Sequence, residues 1–169
     1  MPEYKDPLVK EYLEHLLFNL ATYSQLKDTR LELIIVDNPT MNAFAVPGGV
    51  IGINIGIFNY AKSEDQLASV LAHELAHLSQ RHFARGIEER RKNASFGMGG
   101  LLVGLVFAAA GNADAGTAVI SASQAASLES SLRYSRSNER EADRIGLETI
   151  RNSGRDPAAV GQMFEQMLS

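Results

Sequence analysis

Behind Asp6-Pro7, the apolar residues Leu8, Val9, Tyr12, Leu13, Leu16, Leu17 and Leu20 recur every three or four positions. That spacing predicts an amphipathic helix, with Asp6 as its N-cap and Pro7 in the first turn, where a missing N–H is no loss. Leu31 to Val36 is a short apolar run rich in β-branched residues, ended by Asp37-Asn38-Pro39, and 43–46 and 50–55 flank Pro47-Gly48-Gly49. Three short strands follow, the last two forming a hairpin. Ser63 with Gln66 three residues later makes a capping box, and Leu67, Val70, Leu71, Leu75 and Leu78 carry a second helix towards Arg85 or beyond.

The charged run Glu88 to Lys92 precedes a Gly/Ala/Ser-rich stretch, 93–127, apolar at first and small and polar afterwards. A loosely packed helical hairpin or lid suits that composition; a buried Ala/Gly-rich helix pair is the plainer alternative. A further helix is expected from Ser137 to Asn152, stopping at Gly154, and Asp156-Pro157 restarts a last one through Val160, Phe164 and Leu168. Helix, strands, then mostly helices is an α+β order: a mainly helical core with a small three-stranded sheet, in one domain over 1–169.

Composition narrows the chemistry. With 45% hydrophobic and 21% charged residues, the 169-residue chain can bury a core. The absence of cysteine removes disulfides, thiolate-held metals and thiol nucleophiles. A net charge of −4 argues against nucleic acid as a partner. Met1 to Pro7 lacks the apolar core of a secretory signal. The uncharged run 96–111 falls short of the roughly 20 residues a spanning helix needs, so contact with a membrane surface is expected there rather than a crossing.

His73-Glu74-Leu75-Ala76-His77 lies inside the second predicted helix. A four-residue spacing puts both imidazoles on one face a turn apart, so two ring nitrogens can reach one zinc ion at roughly 2.0–2.1 Å. Glu74 then stands beside the ion, where it can take a proton from water and pass it to a leaving amine. His82, nine residues from His73 on a continuous helix, falls on the opposite side and is expected to face solvent; His15 is assigned to solvent or a polar contact.

A catalytic zinc wants a third protein ligand and one open position. Gln80 and Phe83 stand where HExxHxxGxxH would need glycine and histidine, and no cysteine is present, so the third ligand should be a carboxylate. Glu139 and Asp143 sit one turn apart on the helix predicted over 137–152. Glu139 can bind the metal while Asp143 orients a ligand histidine. Glu141 points away from Glu139 and is expected to pair with arginines.

Asn42-Ala43-Phe44-Ala45 with Pro47-Gly48-Gly49, His73-Glu74-Leu75-Ala76-His77, and Ser135-Arg136 leading to Glu139-Arg140-Glu141-Ala142-Asp143 together resemble the gluzincin metallopeptidases of family forty-eight, over most of the chain. The resemblance implies a zincin-like core binding one zinc ion through His73, His77 and Glu139, with Glu74 as general base and Asp143 supporting a ligand. It implies that the strand Asn42 to Ala45 is an edge to which an extended polypeptide substrate adds. Within the family the chain looks most like the soluble BepA-like branch, which implies periplasmic quality control in a Gram-negative envelope. Members usually carry a His-Pro segment followed by an arginine beyond the position of Ser169, so a peptidase core without the C-terminal region is expected. The reading is a zinc-dependent endopeptidase acting on unfolded or misassembled proteins; the competing one is a metal-stabilised chaperone or adaptor that holds extended segments and cleaves little.

Overall fold

The computed structural model describes residues 2–168. Its elements are α1 (Pro7–Tyr23), β1 (Glu32–Val36), β2 (Ala43–Val46), β3 (Val50–Asn54), a 3-10 turn (Ile55–Asn59), α2 (Glu64–Ser79), α3 (His82–Ala109), α4 (Ala113–Asn152) and α5 (Ala158–Leu168). The α+β class, the three strands and the start of α1 behind its Asp6 cap agree with the sequence reading. The chain resolves into two compact units, one holding everything up to Phe83 and from Arg140 onward, the other Ala84–Glu139.

In the first unit the sheet order is β1-β3-β2, with β1 parallel and β2 antiparallel to β3. Gly48 and Gly49 make the hairpin turn at φ +97° and +85°, a region closed to most side chains, and a Cβ on Gly49 would also strike the Arg30 carbonyl. Phe44 lies opposite Gly52, and its ring fills the space a side chain there would need. One face of the sheet buries Leu33, Ile35, Ile51 and Ile53 against Leu13, Leu17 and Leu20 of α1 and Leu67, Leu71 and Leu75 of α2. Removing these apolar surfaces from water is what holds the HExxH helix in the middle of the core.

The capping box is present in modified form. Ser63 Oγ accepts from the Gln66 amide at 3.3 Å, while Gln66 Oε1 accepts from the Lys62 amide, one residue earlier than the usual partner. Two acidic residues, Glu64 and Asp65, occupy the first turn of α2, where the helix dipole favours them. Arg155, in the turn before α5, donates to both at 2.8 Å. Burial works against its charge, yet the hydrogen bonds to Glu64 and Asp65 hold the guanidinium above its ordinary pKa. Tyr12 donates to the other Glu64 oxygen, and burial, then the adjacent carboxylate, pushes its phenol up. The end of α4 is thereby tied to the start of α2.

The second unit is a helical hairpin. α3 ends in a Schellman turn: Gly111 takes φ +87°, and the Asn112 amide bonds back to the Phe107 carbonyl at 3.0 Å. Asn112 then caps α4 through its side chain. Inside the hairpin a Cβ on Gly100 would meet Ser123, and one on Gly104 would meet Ile120, so small residues set the close approach. Outside, Met98, Leu102 and Val106 are each more than half exposed. The expected helix from Ser137 is the last part of the much longer α4. By length and composition alone, α3 is long and apolar enough to cross a membrane.

Replacing Arg155 with Met should lower stability by about 1–2 kcal/mol, since one hydrogen-bonded cation serves two carboxylates and Glu64 is half exposed. Urea unfolding of both proteins reads the difference.

Candidate metal centre

His73 and His77 share a face of α2, with ring centroids 4.7 Å apart in an edge-to-face arrangement. Their Nε2 atoms are 2.9 Å from each other. His73 Nδ1 lies 3.0 Å from Asp143 Oδ1. The carboxylate accepts there, so the ring proton sits on Nδ1 and the Nε2 lone pair is directed at His77. Asp143 reaches that position because α4 passes close over α2: a Cβ on Gly146 would come within 3.2 Å of the His73 Cα and backbone nitrogen. Glycine at 146 lets one helix lie almost on the backbone of the other.

Glu139 precedes Asp143 by one turn on α4, the last residue before that helix enters the first unit. One ligand-capable atom each of His73, His77 and Glu139 lies within 4.8 Å of the others. Two imidazole nitrogens and a carboxylate oxygen form the donor set of a catalytic zinc site, which needs three protein ligands and keeps a fourth position open. The two Nε2 atoms, 2.9 Å apart, are close enough to serve one ion. The residues present thus suit a divalent metal.

Glu74 is 9% exposed and lines a cleft of about 140 Å³ together with His73 and Asp143. The remaining walls are mostly apolar, including Val70, Leu147 and Met163, while Asn42 and Ala43 at the start of β2 form one rim. β2 bonds to β3 on one side only, and the Asn54 amide bonds to the Asn42 carbonyl at 2.9 Å. In an antiparallel ladder the bonded pairs alternate, so the main-chain groups of Ala43 and Ala45 are directed away from β3.

One expectation fails. His82 is not on the solvent side but only 5% exposed. Its Nδ1 lies 2.9 Å from His77 Nδ1 and its Nε2 3.0 Å from Glu141 Oε2. The reason is a break that the 3.6-residue period does not register: α2 stops at Ser79, Arg81 takes the left-handed conformation at φ 54°, and α3 begins at His82. A left-handed arginine is uncommon, and no glycine or asparagine marks the place. The only sequence signal was a third histidine five residues past the motif. Glu141, assigned to arginine, turns one oxygen to His82.

An HExxH helix packed beneath an α+β core, with an acidic residue one turn before an imidazole-bound aspartate, defines a metallopeptidase core. The model of Peptidase family M48 matches residues 7–169, and the chain belongs to that family, whose members are metallopeptidases for which a metal, typically zinc, is implied. It is 35% identical over 167 residues to the beta-barrel assembly-enhancing protease of Escherichia coli O157:H7, covering 99% of this chain and 34% of that protein. It is 35% identical over 162 residues to the protein of the same name from Yersinia pestis, covering 96% and 33%. Identity to the mitochondrial metalloendopeptidase OMA1 of Schizosaccharomyces pombe is 33% over 173 residues, covering 99% and 48%. The chain thus spans between a third and a half of the length of these relatives.

Replacing Asp143 with Ala should weaken zinc binding by about 10–100-fold, because His73 loses the acceptor that orients it. Competition with a chromophoric chelator measures this, and an unchanged circular dichroism spectrum shows that the fold survives.

Proposed function

We propose that this chain is the catalytic core of a zinc metalloendopeptidase that hydrolyses peptide bonds in unfolded or misassembled proteins of a Gram-negative cell envelope. The observation that carries the reading is the convergence of His73, His77 and Glu139, of which His73 lines the same cleft as the buried Glu74. In this reading the three are the metal ligands. When bound, zinc supplies Lewis acidity toward the scissile carbonyl and the attacking water. Glu74, held by its helix next to His73, takes the proton of that water and delivers it to the departing amine. Asp143 keeps His73 in the tautomer that leaves Nε2 a ligand.

The substrate chemistry rests on β2. An extended polypeptide can pair with the outward main-chain groups of Ala43 and Ala45, which recognises backbone rather than sequence, while the apolar cleft accepts a side chain. The unpaired edge requires a substrate that is locally unfolded. The names of the bacterial relatives, which refer to β-barrel assembly, favour an envelope setting and a periplasmic location. The exposed stripe Met98, Leu102 and Val106 supports contact of the hairpin with a membrane surface.

Metal analysis of the wild type should give one zinc per chain, lost in His77→Ala and Glu139→Gln. Casein cleavage should stop with chelator, and Glu74→Gln should cleave at least about 10²-fold more slowly while keeping its zinc. Absence of stoichiometric zinc from reconstituted protein would sink the ligand set. Zinc binding without cleavage, by wild type and Glu74→Gln alike, would favour a metal-stabilised polypeptide-binding chaperone or adaptor. Separately, serine at Met98, Leu102 and Val106 should abolish co-sedimentation with anionic phospholipid vesicles; unchanged sedimentation removes the membrane assignment.

A further inference from the structure

His77 has two ring nitrogens, and both are engaged. Nε2 faces His73 Nε2, and Nδ1 faces His82 Nδ1 at 2.9 Å. Two ring nitrogens at that distance form a hydrogen bond only if one of them carries a proton and the other does not. The choice is made at the far side of His82, where Glu141 Oε2 lies 3.0 Å from Nε2. A carboxylate accepts, so the proton of His82 belongs on Nε2 and its Nδ1 is left as an acceptor. His77 must then carry its proton on Nδ1, and its Nε2 is left with a lone pair.

We infer that His82 and Glu141 are positioning residues for His77: the pair Glu141–His82 fixes the tautomer and orientation that make His77 Nε2 a metal ligand, as Asp143 does for His73. The two arms differ in construction. Asp143 acts on its histidine directly, whereas Glu141 acts through an interposed imidazole, because the break at Arg81 brings His82 beneath His77. The ring centroids of His77 and His82 lie 4.9 Å apart at an interplanar angle of 77°. His82 is buried and its Nε2 is engaged by Glu141, so the arrangement is held on both sides. This inference rests on the metallopeptidase reading, since it assigns a role toward the metal.

The test uses His82→Phe, which keeps a planar ring but no acceptor, and His82→Gln, whose amide oxygen can accept from His77. Two readouts are needed. The first is long-range nitrogen–proton correlation NMR on the zinc-free 169-residue protein, above the pH at which its histidines are neutral. It should find His77 as the Nδ1–H tautomer in the wild type and as a mixture in His82→Phe and Glu141→Leu. The second is zinc affinity by chelator competition, expected to fall about 10–100-fold in His82→Phe and Glu141→Leu and to recover in His82→Gln. The inference is overturned if wild-type His77 carries its proton on Nε2, or if a folded His82→Phe binds zinc as tightly as the wild type. A folded His82→Gln no better than His82→Phe also overturns it. A wild type that binds no zinc defeats the metallopeptidase reading as well. Wild-type zinc binding unaltered by His82→Phe defeats only the role of His82 and Glu141.

Discussion

Everything at the site depends on how closely α4 lies against α2. His73 and His77 come from a helix locked into the core by Leu67, Leu71 and Leu75, while the carboxylates beside them come from a stretch of helix some seventy residues later in the chain. Glycine at 146 permits contact with the His73 backbone, and Arg155 clamps the end of α4 to the acidic first turn of α2. An extra methyl group at 146 would press on backbone rather than on a side chain that could rotate away. Close-packed interiors transmit such a displacement rather than absorb it. Asp143 and Glu141 would both move with the helix.

The arrangement also obeys a strict hydrogen-bond arithmetic. A neutral imidazole has one proton to place, and a metal ligand must place it away from the metal. His73 gives its proton to Asp143, and His77 gives its own toward His82, which passes the requirement on to Glu141. Two anionic groups on alternate positions of one helix thus serve two different rings.

Much of this was legible in the sequence. The α+β class, the start of α1, the hairpin around Pro47-Gly48-Gly49 and the HExxH helix all followed from periodicity, turn residues and capping residues. The closeness of Asp143 to a histidine of the motif is a matter of helical spacing, which survives into three dimensions when the helix is continuous. Prediction failed where the chain breaks regularity without a sequence mark. The end of α2 at Ser79 and the left-handed Arg81 carry no glycine, so His82 was assigned to solvent by extending a helix that had stopped. The length of α4 was missed for the opposite reason: its first half is rich in alanine and serine with few large apolar residues, a composition that offers only a weak apolar face, and contact within the hairpin gives it a partner.

The donor set has a chemical consequence that its geometry does not reveal. Nitrogen and carboxylate oxygen are inert to peroxide, whereas thiolates are not, and the chain contains no cysteine at all. The groups around the site that an oxidant can attack are sulfur atoms in the cleft wall, those of Met41 and the nearly fully buried Met163. Conversion of either to its sulfoxide would turn an apolar wall polar and leave the metal-binding atoms unchanged. Oxidative damage to this protein would therefore alter which side chains the cleft accepts before it altered the capacity to hold an ion.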